Sequence, residues 1–293
     1  MSLKKFLMAG IVAAVLVACG DDDSSDFATR PSGDSSSACE DCDDSSSSKA
    51  KSSSSSAKSS SSVAYVEPCR TDSVDTCEYG TFTDERDGQT YKTVKIGTQT
   101  WMAENLNYAY TGVPYNFTPN SSISYTSDST SWCYRDSVEY CTKYGRLYTW
   151  AAAMDSVGTL STNGKGCGWE AECMPTYPVR GVCPDGWHLP DSTEWETLFA
   201  ALGAPTGKRL KSASGWHSSG NGTDAYAFSA LPAGYRYDWG GFGYEGRDAY
   251  FWSSTEDGSY YAYHMKLLYD NGSANLNDDR KNFGNSVRCV KDE

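Results

Sequence analysis

The cysteines constrain the fold of this chain more than any other feature. There are 11 of them in 293 residues, and six fall into three pairs that are close in sequence. These pairs are Cys69 with Cys77, Cys133 with Cys141, and Cys167 with Cys173. Closely spaced pairs are typical of the disulfide frameworks of exported proteins, where covalent bonds supplement the core. We therefore expect a fold with long loops that are braced by disulfides.

The other cysteines leave their pairing open. Local pairing would leave Cys183 to bond with Cys289 and Cys39 with Cys42, although connectivity does not follow from sequence alone. The alternative for Cys39 and Cys42 is a redox pair or half of a zinc site. Both alternatives need folded surroundings, whereas this motif lies among Ser and Asp residues. The three histidines lie far from any paired cysteine, so we expect no metal site and no cofactor.

The N-terminus indicates export and attachment of a lipid. Two lysines precede an apolar stretch from Phe6 to Ala18. A bilayer span takes about 20 residues, so this stretch fits a secretory signal better. It ends in Leu16-Val17-Ala18-Cys19, which resembles the bacterial lipobox. The resemblance implies that residues 1–18 are a signal peptide and that Cys19 is lipidated; the alternative is an ordinary cleaved signal.

A Ser-rich segment separates the anchor from the folded sequence. Residues 20–62 contain 19 Ser with scattered Asp and Lys, and such a segment buries too little apolar surface to offset the entropy of ordering. We expect 19–62 to be the lipidated cysteine and a disordered tether, 63–79 a small disulfide loop, and 80–293 a single domain. The acidic run just after Cys19 looks like the surface-export signal of some Gram-negative lipoproteins, which implies an outer membrane protein displayed on the cell surface.

Charge and composition narrow the choice of partners. The formal net charge is −13, and residues 63–293 hold 19 Lys and Arg against 29 Asp and Glu. Nucleic acid and anionic lipid headgroups both need a basic face. We therefore expect no nucleic acid partner, and a membrane contact only through the lipid anchor. The chain contains 21 Tyr, 9 Trp and 9 Phe. Part of this aromatic content must belong to the core, and a high content of Tyr and Trp in an exported protein also suits ligand faces.

The sequence offers few groups for catalysis. His188 precedes a predicted helix and His264 lies in an alternating segment, so we interpret both as structural. Ser253-Ser254-Thr255 lacks a nucleophile elbow, and an even ten cysteines remain after Cys19, so no free thiol is expected. Asn277-Asp278-Asp279 is the best local cluster for calcium, but a solvated turn is the interpretation we prefer. We therefore expect no catalytic residues and no enzyme.

Periodicity predicts an α+β fold with short antiparallel strands and two short helices. The segment 91–102 alternates, turns at Gly97-Thr98 and returns, which predicts a β-hairpin. The clearest helix should begin after Asp191, follow the apolar stripe from Trp195 to Leu202, and end at Gly203. A second short helix is expected in 146–154. Further strands are expected in 249–253, 260–268 and 286–290.

Five segments in this order resemble the Fibrobacter succinogenes major paralogous domain. They are Asp87–Asn107 (DGQTYKTVKIGTQTWMAENLN), Tyr144–Trp150 (YGRLYTW), Cys183–Pro190 (CPDGWHLP), Phe251–Thr255 (FWSST) and Ser286–Val290 (SVRCV). The last three also resemble C-type-lectin-like domains. The resemblance implies a compact α+β domain with a long irregular loop region, in which Cys183 and Cys289 tie the core together. It implies no particular activity.

A Gly-rich aromatic segment is the candidate ligand-binding site. The segment 234–246 contains five glycines, and a core does not easily take so many rings from so flexible a stretch. We expect ligand contacts from Tyr235, Tyr237, Asp238, Trp239, Phe242, Tyr244 and Glu245. Rings beside carboxylates suit sugars, whose apolar CH faces stack while their hydroxyls donate. A surface lipoprotein with a polysaccharide-binding or cell-surface-ligand-binding domain is the first hypothesis. The alternatives are a non-binding coat lipoprotein and, ranked below it, an enzyme.

Overall fold

The computed structural model describes residues 63–110 and 131–293. The expected signal peptide 1–18, the lipidated Cys19, the tether 19–62 and the Cys39–Cys42 pair lie outside the described residues. Within the described ranges, none of the helices has the length and hydropathy that a bilayer crossing requires.

The fold is a mixed α+β structure that is rich in short strands. The strands are β1 (Glu78–Thr83), β2 (Thr90–Ile96), β3 (Gln99–Met102), β4 (Ser131–Trp132), β5 (Leu147–Tyr148), β6 (Trp187–His188), β7 (Tyr235–Arg236), β8 (Phe242–Gly243), β9 (Asp248–Asp257), β10 (Tyr261–Leu268), β11 (Ala274–Arg280), β12 (Asn285–Ser286) and β13 (Val290–Lys291). The helices are α1 (Val138–Tyr144), α2 (Trp150–Ala153), α3 (Ser192–Leu202) and α4 (Thr206–Leu210), with a 3-10 turn at Tyr134–Asp136.

Two sheets organise these elements. The first has the order β1-β2-β3-β13-β6 and the second β11-β10-β9-β12-β5-β4, while β7 and β8 form a separate ribbon. The pairing of β9 with β12 is parallel, and the long strand pairs β1–β2 and β9–β10–β11 are antiparallel. Because β12 joins one sheet and β13 the other, the last residues of the chain connect the two sheets.

Helix α3 is held by a complete capping box and a buried stripe. The Asp191 carboxylate accepts the Glu194 N–H at 2.8 Å, and the Glu194 carboxylate accepts the Asp191 N–H at 2.8 Å. Trp195, Leu198 and Leu202 are fully buried on one face, and each such side chain contributes about 1.5–3 kcal/mol. The helix ends at Gly203, as the sequence predicted.

The largest core cluster lies where α3 meets both sheets. The Trp195 ring is 4.6 Å from the ring of Trp101 on β3 and 6.3 Å from that of Phe251 on β9. Phe228 packs edge-on against the same rings. This aromatic centre joins the sheets and holds rigid the strands that carry the loops.

Four disulfides brace the loops with the predicted pairing. Three close short loops: Cys69–Cys77, Cys133–Cys141 and Cys167–Cys173. The fourth, Cys183–Cys289, joins residues 106 positions apart, and both cysteines are fully buried. It connects the segments that lead into β6 and β13, the two strands that pair at the end of the first sheet.

The structure corrects several expectations about individual elements. The predicted hairpin is confirmed as β2 and β3, but the expected helix in 146–154 covers only 150–153, because Leu147 and Tyr148 pair with β4 and β12 as strand β5. The expected strand in 286–290 is divided between β12 and β13. The described residues contain four α-helices rather than two.

The predicted turn at Asn277-Asp278-Asp279 is wrong, because these residues belong to β11 and pair with His264, Tyr263 and Ala262 of β10. Strand β1 also spans the expected boundary between 79 and 80. The preceding loop is attached to the domain, since the Val66 and Arg70 N–H groups donate to the carbonyls of Ala201 and Ala225.

Candidate functional site

The ribbon β7–β8 presents the predicted aromatic residues, and two glycines permit its shape. A Cβ on Gly234 would lie 2.1 Å from the carbonyl oxygen of Gly243, so only glycine allows the two strand ends to approach this closely. A Cβ on Gly241 would lie 1.8 Å from the indole of Trp239. The Trp239 ring therefore lies directly against the backbone of the turn.

Stacked rings form what we call the aromatic face, which consists of Tyr235, Tyr237, Trp239, Tyr244 and Phe283. The Tyr235 ring stacks with those of Tyr244 (centroids 5.5 Å apart, planes at 15°) and Phe283 (5.6 Å, 9°). The Tyr237 ring meets Tyr235 edge-on at 4.7 Å and stacks with Trp239 at 5.0 Å. Offset and edge-on pairs of this kind are favourable geometries for aromatic rings.

The aromatic face has a buried base and exposed outer rings. Tyr250 on β9 is buried and meets Tyr235 edge-on at 5.1 Å. In contrast, Trp239 is 52% exposed and Tyr244 is 47% exposed. The outer rings of Trp239 and Tyr244 stack on the inner rings of Tyr237 and Tyr235, so inner rings support the exposed ring surface.

Charged groups lie at the rim of the aromatic face. Asp238 accepts a hydrogen bond from the Arg280 guanidinium at 3.3 Å and one from the Trp239 N–H at 2.9 Å. Burial raises the pKa of Asp279 to about 6. Burial is also the main cause that raises the pKa of the Tyr250 phenol, and Asp248, which accepts a hydrogen bond from the Tyr250 hydroxyl at 2.9 Å, adds to the rise. Carboxylates at the edge of a ring surface are suited to accept hydrogen bonds from hydroxyl groups.

Two of the predicted residues do not belong to the aromatic face. The Glu245 carboxylate accepts a hydrogen bond from the Tyr144 hydroxyl at 2.6 Å and lies 3.5 Å from the Lys143 ammonium. Phe242 packs against Tyr134 at 5.2 Å in a small separate cluster. The structure therefore brings together Tyr235, Tyr237, Asp238, Trp239 and Tyr244, and it uses Glu245 to join the ribbon to α1.

Sequence reasoning missed three contributors to the aromatic face and its rim. Phe283 reaches the face because the backbone of Gly284 pairs with that of Arg236, a long-range contact with no local signal. Arg280 ends β11 and directly follows Asn277-Asp278-Asp279, which were expected to form a turn. The alternation of 249–253 did carry a signal for Tyr250, since it places Tyr250 on the opposite face of β9 from Phe251.

His188 and His264 are both buried. The two ring nitrogens of His188 contact carboxylates of Asp292 at 2.6 Å and Glu194 at 2.7 Å. Burial lowers the pKa of His188, but these two carboxylates outweigh burial and raise it above its usual value. His264 is buried beside the rings of Tyr250 and Trp252, and burial lowers its pKa to about 3. In the ranges that the structure describes, His, Cys, Asp and Glu form no group of three suited to a metal ion.

The fold and the aromatic face together define a class of protein: a disulfide-braced α+β domain that presents a preformed surface of stacked rings. The family follows from comparison. The model of the Fibrobacter succinogenes major domain matches residues 94–291, which is more than half of the chain. The chain therefore belongs to this family, as its sequence motifs indicated. Comparison with curated proteins and with solved structures gives no match.

Proposed function

We propose that this chain is a surface-anchored lipoprotein whose folded domain binds polysaccharide through the aromatic face, and that it is not an enzyme. The observation that carries the proposal is the stack around Tyr235, which holds the half-exposed rings of Trp239 and Tyr244 in fixed positions. Flat, exposed and rigid rings offer a stacking surface for the apolar faces of sugar units. The rim carboxylates supply acceptors for hydroxyl groups.

The exposed ring area supports a useful affinity. An aromatic side chain buries about 150–250 Å² in full, so the exposed half of Trp239 offers about 100 Å² to a ligand. Covering that area at about 25 cal/mol per Å² contributes at most about 2.5 kcal/mol, or roughly fiftyfold in affinity. Since the ring is already ordered, little conformational entropy opposes binding.

Anchoring and fold type belong to the same proposal. The apolar N-terminal stretch, the lipobox-like Leu16-Val17-Ala18-Cys19 and the Ser-rich segment support export to the outer membrane and display at the cell surface. A C-type-lectin-like fold is supported by the short strands, by the long connections and by the buried Cys183–Cys289 bond between the middle and the end of the chain. Such a domain on a tether suits capture of an extended, insoluble ligand.

Retention on insoluble polysaccharides tests the proposal. The full chain in detergent is mixed with cellulose, xylan, mannan and peptidoglycan, and the bound fraction is measured. Retention on one of them should fall by at least tenfold in Tyr244→Ala and Trp239→Ala. Tyr260→Ala is the matched control, because Tyr260 is 46% exposed outside the aromatic face.

A coat lipoprotein without a ligand is the alternative, and it makes the opposite prediction. Tyr235 packs on Tyr250 and Phe283 of its own domain, as an aromatic loop would do in a purely structural protein. If no polysaccharide retains the chain, or if Tyr244→Ala and Tyr260→Ala reduce retention equally, the binding proposal is wrong.

A further inference from the structure

A cavity that is distinct from the aromatic face lies between the first sheet and helix α1. It is a cleft of about 660 Å³, and its walls come from β1, β2, the segment after β3, and α1. We call it the β2–α1 cleft. Its volume is within the range of about 300–1,000 Å³ that is typical of small-ligand sites. None of the residues of the aromatic face lines this cleft, although Tyr144 in its wall donates to Glu245, which follows Tyr244 in the chain.

The charge of the β2–α1 cleft is opposite to that of the domain. Four basic residues line it, Arg70, Lys92, Lys143 and Arg288, whereas Glu104 is the acidic residue among the lining side chains. The sequence from 63 to 293 carries ten more acidic than basic residues. A concave site of one sign focuses its field and raises the local concentration of ligands of the other sign.

Two of these four basic residues already form ion pairs with carboxylates of the domain. Arg70 pairs with Asp224 at 2.8 Å and Asp75 at 3.6 Å, and Lys143 lies 3.5 Å from Glu245. Neither Lys92 nor Arg288 takes part in any of the ion pairs found in the described part of the chain. Lys92 is exposed, so its charge is available to a ligand, whereas the charge of the buried Arg288 is partly offset by the nearby carboxylates of Asp224 and Glu104.

The surroundings of Arg288 are the second observation that points to an anionic ligand. It is 1% exposed, and its guanidinium donates to the Phe228 carbonyl and, at 2.6 Å, to the Asn105 side chain. Both acceptors are neutral, and Nε has no hydrogen-bond partner; Asp224 and Glu104 act on the guanidinium electrostatically, without an ion-pair contact. A buried cation that lacks a hydrogen-bonded anion is costly. An anion in the cleft would lower that cost.

The remaining lining of the cleft is hydroxylated and aromatic. Side-chain hydroxyl and amide groups come from Thr81, Gln89, Thr90, Asn107, Thr142 and Ser229. Tyr79, which is 51% exposed, adds ring surface. Groups of this kind match the hydroxyls and apolar faces of a sugar rather than a bare inorganic ion.

We propose that the β2–α1 cleft is a second ligand site, and that it binds an acidic saccharide, a sugar frame that carries carboxylate or sulfate groups. Lys92 and Arg288 face the anionic groups, and the Thr, Gln and Asn side chains bond the hydroxyls. The lining of the cleft shares no residue with the aromatic face, so this proposal can be tested independently of binding there.

Calorimetric titration of the full chain in detergent tests this site. The probes are tri-galacturonate, its methyl ester as a neutral copy of the same frame, a sulfated trisaccharide and inorganic sulfate. We expect binding of at least one acidic saccharide, with affinity that falls as salt rises, and no binding of the ester. Lys92→Gln should weaken binding about tenfold, the usual effect of losing one charge-assisted hydrogen bond.

The matched control is Lys95→Gln, because Lys95 lies on the same strand but outside the cleft and is paired with Glu78 at 3.7 Å. It should bind as the unaltered chain does. Equal binding of the ester, equal loss in the two lysine variants, or binding of inorganic sulfate as strong as that of the saccharides would each overturn the proposal. The tighter of the two acidic probes identifies the anionic group.

Discussion

Removal of the Cys183–Cys289 bond should destabilise the domain more than removal of a short disulfide. In the chain-entropy model, a separation of 106 residues is worth about 4.8 kcal/mol. The separation of 8 at Cys69–Cys77 is worth about 2.5 kcal/mol. About 1 kcal/mol shifts the melting temperature of a domain of this size by roughly 2–4 °C. Cys183→Ala/Cys289→Ala should therefore lower it by roughly 10–20 °C, and Cys69→Ala/Cys77→Ala by roughly 5–10 °C.

Calorimetric melting of the two double variants measures this difference. The matched control is Cys133→Ala/Cys141→Ala, because that bond has the same separation of 8 as Cys69–Cys77. The two short-loop variants should melt within a few degrees of each other. If either one is destabilised as strongly as Cys183→Ala/Cys289→Ala, loop length does not govern the contribution of these bonds and the reasoning fails.

Four further predictions concern charge and anchoring. The pKa of His188 is raised in the folded state. The contribution of protonated His188 to the stability of the domain should therefore be complete below about pH 6.5 and be lost as pH rises through the folded-state pKa. The difference in melting temperature between the unaltered chain and His188→Gln should shrink as pH rises. The pKa of His264 is lowered to about 3, so the domain should lose stability as pH falls from about 6.5 towards 3. In the same pH series of melting curves, the melting temperature of His264→Phe should fall less than that of the unaltered chain. Lys281 is fully buried and paired with Glu256 at 2.9 Å. Lys281→Met removes the cation beside a carboxylate that is 19% exposed and still accepts the Cys173 N–H, so it should cost about 1–3 kcal/mol in urea unfolding; no measurable cost would contradict this. Cys19→Ser should leave an unprocessed, unacylated precursor, which mass spectrometry of the N-terminus detects; a mature chain that begins at another residue would refute the lipid anchor.

Local signals in the sequence were sufficient for several parts of the fold. The α3 cap and stripe fall within a dozen consecutive residues, as does the β2–β3 hairpin, and the three short disulfides join cysteines close in sequence. In each case the relevant contacts are between near neighbours, so spacing alone carries the information. Cys183–Cys289 was reached by elimination and by the family resemblance, and not by any local pattern.

Long-range contacts explain what the sequence did not reveal. Strand β11 contains Asn and Asp residues of low β-propensity and lies at the edge of its sheet. Charged residues are common at such edges because they discourage pairing with other chains. Its pairing with β10 decides its structure. The same holds for the candidate sites, since Phe283 reaches the aromatic face and Arg288 reaches the β2–α1 cleft only through packing of distant segments.

The most direct test of the central claim is an NMR titration that follows the indole N–H signals of the nine tryptophans. The probe is a soluble oligosaccharide from the polysaccharide that best retains the full chain, and Trp239→Phe assigns the Trp239 signal. The account predicts that the Trp239 signal shifts with saturable dependence on the probe, while the signals of the fully buried Trp101, Trp150, Trp195 and Trp252 stay in place. An unchanged Trp239 signal under saturating probe would contradict binding at the aromatic face.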